Sequence, residues 1–183
     1  MQAPSGQSTA PEVRALLADG ALAGEWVLDP RESSIRLKSK SMGLIPVNGI
    51  FRDVSGNGII SLDGEVSGTV RVGAASIDTK NAKRDTHLRS ADFFDSGNNP
   101  DITFTADGIQ ASGPAVTVTG TLTVRGRTRP LAFDAVASVQ GDGGIWLDAE
   151  VRVNRADFGL TWNQLGRVAV NNTIIIHAVF TRR

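Results

Sequence analysis

The side chains best equipped for chemistry lie between Ser76 and Asp95, in the run SIDTKNAKRDTHLRSADFFD. His87 stands there with Asp85 and Asp92 near it in sequence. That grouping can act as a general base or offer metal ligands. Arg84 and Arg89 flank the histidine, and guanidinium forks match the oxygens of an anionic group. The same charges also have an internal reading, in which the arginines pair with Asp85, Asp92 or Asp95 and fix the segment. Asp78, Asp85, Asp92 and Asp95 miss the D-x-D-x-D-G spacing of a calcium loop, and two arginines lie among them. No metal site is expected. His177 is distant in sequence, on the polar side of a strand-like run, and reads as a surface residue. The chain contains no cysteine, which excludes a thiol nucleophile, a thiolate metal centre and a disulfide. It has no G-x-S-x-G elbow, no H-E-x-x-H pair and no phosphate-binding loop ending in Gly-Lys-Ser/Thr. No catalytic residue and no cofactor are therefore assigned.

The elements that must position these groups are mostly strands. From Trp26 onward the apolar period is two. Val116, Val118, Leu122 and Val124 alternate with threonines; Leu131, Phe133, Ala135, Ala137 and Val139 keep the same step; Ile145, Leu147, Ala149, Val151 and Val153 alternate with polar residues and Trp146. Such alternation predicts antiparallel strands with one apolar and one wet face. Glycine-rich breaks at 126–130 and 141–144 read as hairpin turns. About eight or nine strands result, enough for a sandwich or a closed barrel. The expected organisation is a flexible tail over 1–10, an N-terminal helix over 11–24 and one β domain over 25–183. Thr9-Ala10-Pro11-Glu12 fits a capping box, and Val13, Leu16, Leu17 and Leu22 give the helix an apolar stripe. That helix either tucks against the body or covers a pocket mouth. Ser76–Asp95 is where alternation stops: a short helical segment near 80–94, ending in Phe93 and Phe94, must plug the sheet or frame an opening.

Lys and Arg number 19, as do Asp and Glu, so the formal net charge is zero. A binder that neutralises phosphates needs a surplus of cations, and no nucleic-acid partner is expected. No apolar run reaches the length of a membrane-spanning helix. Glu12, Arg14 and Asp19 interrupt what would be the apolar centre of a secretion signal. A cytoplasmic location is expected for the chain as it stands, and a periplasmic or secreted one had a signal been removed.

Several motifs, in order, resemble the YceI-like polyisoprenoid-binding family. They are the opening W-x-L-D-P through G-x-F (Trp26 to Phe51), SIDT (76–79), RDTHLRS (84–90), DFFD (92–95), PDITF (100–104), GTLTVRGRTRP (120–130) and RADFGLTW (155–162). The resemblance runs from Trp26 to the C-terminus. It implies a lipocalin-like, up-and-down antiparallel barrel of about eight strands around an apolar tube. The tube would hold a long-chain amphiphile: a polyprenyl chain, an isoprenoid quinone or a fatty-acid derivative. No catalytic activity defines the family. Phe51, Leu88, Phe93, Phe94, Phe104, Phe158 and Trp162 are the implied apolar lining, and Arg84, His87 and Arg89 the head-group candidates. Where the family often carries a histidine before Met-Gly, this chain has Ser41. The implied function is binding, sequestration or transport of a lipid, with transient membrane contact and a homodimer as further expected partners. The second reading is an enzyme acting on a lipid or small amphiphile with His87 as acid or base. A third is an interaction barrel filled by its own side chains.

Overall fold

The alternating runs become strands in the computed structural model, which describes residues 10–112 and 115–183. The expected tail, and Thr9 of the capping box, lie outside the described residues. In chain order the elements are α1 (Ala10–Ala18), β1 (Gly24–Leu28), β2 (Ser34–Ser41), β3 (Ile45–Phe51), β4 (Val54–Ile60), β5 (Val66–Gly73), β6 (Ile77–Asp78), α2 (Ala82–Arg89), β7 (Asp101–Ser112), β8 (Ala115–Val124), β9 (Arg127–Val139), β10 (Ile145–Asn154) and β11 (Asn171–Arg182). All neighbouring pairs are antiparallel.

Eight strands close a ring in the order β1-β4-β5-β7-β8-β9-β10-β11, and β11 returns to β1. The remaining three lengthen it. β11 pairs with β2 over Thr173–His177 and with β1 over Phe180–Arg182. β1 with β2, β3 with β4, and β5 with β6 are thus three long staves, each broken once. The breaks lie side by side. Arg52 N–H donates to Ser76 O at 3.2 Å across one join, and Gly73 N–H to Asp53 O at 2.9 Å across the other. The architecture is an eight-staved, up-and-down antiparallel barrel, the fold that the resemblance implies and one of the two that the alternation allows.

Below this crease the wall is incomplete. β6 is two residues long and pairs only with β3, and the chain leaves it to form α2 before returning at Asp101. α2 fills the gap. Asn81 caps it by accepting the Arg84 N–H at 3.0 Å, and Ser90 ends it. The helical segment expected near 80–94 therefore stops at Arg89. Residues 90–96 are tight turns held by Phe93 N–H to Ser90 O, Phe94 N–H to Leu88 O and Asp95 N–H to Ser90 O.

At the far end α1 caps the barrel. Val13 is buried against Val116, Val118, Ala135 and Ala137, and Leu22 against Trp26 and Ile60. The helix closes at Ala18 rather than continuing through 24. Gly20 adopts φ +75, a left-handed conformation that ends helices and suits glycine. The turn that follows lets Leu22 accept a hydrogen bond from the Trp26 indole at 3.0 Å.

Candidate functional site

A cavity of about 690 Å³ runs inside the barrel. It exists because the inward positions are mostly small or aliphatic. At one level the register brings the smallest of them together: Gly58 faces Gly68, Gly68 faces Ala106, and Ala106 faces Gly120. These occupy four consecutive strands of the ring. Gly58, Gly68 and Ala106 border the cavity there.

All seven side chains named as lining candidates border this cavity: Phe51, Leu88, Phe93, Phe94, Phe104, Phe158 and Trp162. Of the adjacent pair, Phe93 belongs to one cluster and Phe94 packs against that one and a second. Phe94 joins Leu28, Phe51 and Val72 in the barrel core, meeting Phe51 edge-on at 5.9 Å. Phe93 joins Val124, Phe158 and Leu160, with Trp162 at 5.3 Å. The pair therefore seals α2 into the wall on both sides of the gap. Phe104 lies over Gly120, where an added Cβ would come within 2.8 Å of its ring.

The polar candidates divide. Arg84 and His87 border the cavity and Arg89 does not. Arg89 instead donates to Ala75 O at 2.7 Å and Ile77 O at 3.0 Å, tying α2 to the crease. Arg84 donates to Thr79 Oγ1 at 2.8 Å and Thr79 O at 2.9 Å. Neither arginine pairs with Asp85, Asp92 or Asp95, so the internal ion-pair reading is corrected. Asp85 is buried and accepts from the Thr79 N–H and hydroxyl. Asp95 accepts from Asn98 and Asn99. The arginines go to backbone carbonyls left open by the irregular chain, acceptors that carry no mark in a sequence.

His87 places Nε2 2.8 Å from Asp92 Oδ2. Its ring stands edge-on to Trp162 at 4.4 Å and to Phe93 at 5.1 Å. A carboxylate that orients an imidazole is one half of an acid–base device. The other half, a hydroxyl hydrogen-bonded to the ring, does not occur among the described residues. His177 lies on the outer face, 2.6 Å from Asp148. Among the described residues no group of three or more His, Asp or Glu could hold a metal ion.

Arg155, the first residue of the RADFGLTW motif, is a further wall residue. Arg155 is buried, and its guanidinium donates to the carbonyls of Leu160, Trp162, Val168 and Ala169. It also lies 5.8 Å from the centre of the Phe93 ring. Desolvation lowers its pKa from the usual arginine value. A pairing of Arg155 with Asp157 is the natural guess from sequence, yet Asp157 is exposed and takes no part. Ser41, Met42, Leu165 and Arg167 also border the tube, at the end away from α1. Their only signal in the sequence is a pair of short turns carrying large apolar residues.

Comparison with known proteins places this geometry. The chain matches the YceI-like domain over residues 26–181. Protein YceI of Escherichia coli O157:H7 is 30% identical over 152 residues, covering 78% of this chain and 80% of that protein. BcnA of Burkholderia cenocepacia superposes with a TM-score of 0.75 at 23% identity, over 83% of this chain and 98% of BcnA. A polyisoprenoid-binding domain from Saccharophagus degradans, implicated in plant cell wall breakdown, superposes with a TM-score of 0.71 at 16% identity, over 86% of this chain and 98% of that domain. At those two identities the likeness speaks to the fold alone.

Proposed function

The chain belongs to the YceI-like domain family, and on that premise we propose that its tube binds one long isoprenoid or related lipid chain and carries it through water. The carrying observation is the apolar cavity of about 690 Å³ inside a closed barrel. That volume lies within the roughly 300–1,000 Å³ of small-molecule sites. A polyisoprenoid-binding relative in fold gives the ligand class its chemistry.

The physics favours a chain over a compact ligand. β9 is 13 residues long and spans about 40 Å, so a linear tail can lie along the staves. Each buried CH₂ contributes roughly 0.8 kcal/mol, about 4 kcal/mol gross per five-carbon unit. A few units outweigh the cost of ordering the chain. The polar end of the ligand would meet His87 and the uncommitted arm of Arg84, which border the tube where α2 fills the wall. Arg89 drops out of the head-group set because its fork is spent on carbonyls.

Organic extraction of the purified protein, followed by mass spectrometry, tests this directly. A stoichiometric long-chain lipid is expected. A protein that yields none, and takes up neither a polyprenyl alcohol nor an isoprenoid quinone, is no carrier.

A further inference from the structure

At the end of the tube remote from α1, two segments lie side by side. One is the turn at 42–44 between β2 and β3; the other is the connection at 155–170. Met42 N–H donates to Arg167 O at 2.5 Å, Ala169 N–H to Lys40 O at 3.0 Å, and Ser41 bridges Val168. Together they form one rim. Leu44 is 87% exposed and Leu165 81%, and Met42, Ile45 and Val170 are exposed as well. Elsewhere among the described residues the exposed large hydrophobics are Ile59, Leu62 and Val136, each on a different element or turn. Met42 and Leu165 also border the cavity. The tube therefore reaches exposed apolar side chains at this rim, with Ser41, Gln164 and Arg167 beside them.

Charge follows the same geography. Residues 33–52 and 158–183 contain no Asp or Glu. Arg36, Lys38 and Lys40 project from the exposed side of β2, and Arg167 stands on the rim. None of these four cations has an ion-pair partner among the described residues. Asp157 is exposed on the connection and Asp92 and Asp95 lie in the turns beside it, and other acids lie at the opposite end. Asp63 and Glu65 sit in the turn packed on α1, Asp19 follows that helix, and Asp142 sits in the neighbouring β9–β10 turn.

We propose that this rim docks on an anionic lipid bilayer, the surface from which the tube takes its chain or to which it gives it. The proposal rests on the tube-binding reading above. Unpaired cations are drawn to an anionic leaflet, and exposed apolar tips enter the boundary between head groups and acyl chains. Docked that way, the tube opens onto the acyl region, and a chain can slide in without crossing water. A second copy of the chain fits the rim less well. In a two-fold contact the patch meets itself, so unpaired cations would face cations.

The test uses the full-length chain and co-sedimentation with vesicles, either of phosphatidylcholine alone or of phosphatidylcholine mixed with phosphatidylglycerol. Binding to the mixed vesicles is expected, weakening as salt is raised. The double variant Leu44→Ser, Ile45→Ser should lose about tenfold in vesicle affinity while keeping its melting temperature. Neither residue borders the tube, so uptake of a detergent-dispersed polyprenyl alcohol should be unchanged. Lys38→Glu should weaken binding to the anionic vesicles only. Equal binding to both vesicle types overturns the proposal, as does a double variant that sediments like the parent. So does a double variant that turns a dimer into a monomer and leaves vesicle binding intact, which would make the rim a self-contact. Vesicle binding at the rim by a protein that takes up no chain would instead sink the tube reading and leave the rim standing.

Discussion

Four carbonyl groups and no carboxylate hold the guanidinium of Arg155. Those carbonyls belong to a connection, 155–170, that has no ladder of its own to satisfy them. The arginine therefore substitutes for a missing strand. Arg155→Leu keeps much of the bulk and removes every donor. Loss of buried, charge-assisted bonds should destabilise the fold by about 3 kcal/mol or more, read as a fall in the urea midpoint. A midpoint within error of the parent would show that water replaces the guanidinium at no cost. Asp78 performs a similar service at the crease. The Lys80 backbone N–H first, then the Arg52 and Lys80 side chains, hold its carboxyl far below the usual 3.8. A carboxyl with a lowered folded-state pKa releases its proton more readily when folded, so its contribution is present at neutral pH. That contribution is lost as pH falls below about 3.8 toward the folded-state value. Asp78→Asn should narrow the stability difference between pH 7 and pH 3, measured by urea unfolding at each. An unchanged difference would clear Asp78 of any part in acid sensitivity.

At the scale of elements, strands announce themselves and their register does not. Alternation in β8, β9 and β10 is legible because each inward side chain must be apolar whichever strand it faces. The level at which Gly58, Gly68, Ala106 and Gly120 meet depends on pairings between strands up to tens of residues apart. No local pattern encodes it. The three broken staves are hidden for the same reason: Arg52–Asp53 and Ala74–Ser76 look like ordinary turns until their partners lie beside them. The aromatic candidates were readable as apolar motif positions, whereas the targets of Arg84, Arg89 and Arg155 are backbone oxygens without a residue-type signature. The small-residue level yields a direct test of the tube. Ala106→Trp places an indole opposite two glycines, at a position that borders the tube. The fold should persist while the tube is divided, so long polyprenyl alcohols should bind at least about tenfold more weakly than short ones. Equal loss for all chain lengths would mean that the ligand does not thread past this level.

For the molecule as a whole, the tube is a structural cost that a bound chain relieves. Apolar walls facing an empty space forgo the contacts that a packed interior provides, and α1 seals one end of the barrel while the opposite end borders the exposed rim. A chain that fills the tube binds the folded state and has no comparable site on the unfolded one. At a free concentration one hundred times its dissociation constant it should stabilise the fold by about 2.7 kcal/mol. For a chain of this size, each kcal/mol raises the melting temperature by about 2–4 °C. Protein stripped of lipid should therefore melt about 5–10 °C below protein reloaded with a polyprenyl alcohol, and the gap should widen with ligand concentration. Calorimetry on stripped and reloaded samples reads both quantities. A melting temperature indifferent to ligand would mean that the side chains already fill the barrel and that the cavity is not a binding site.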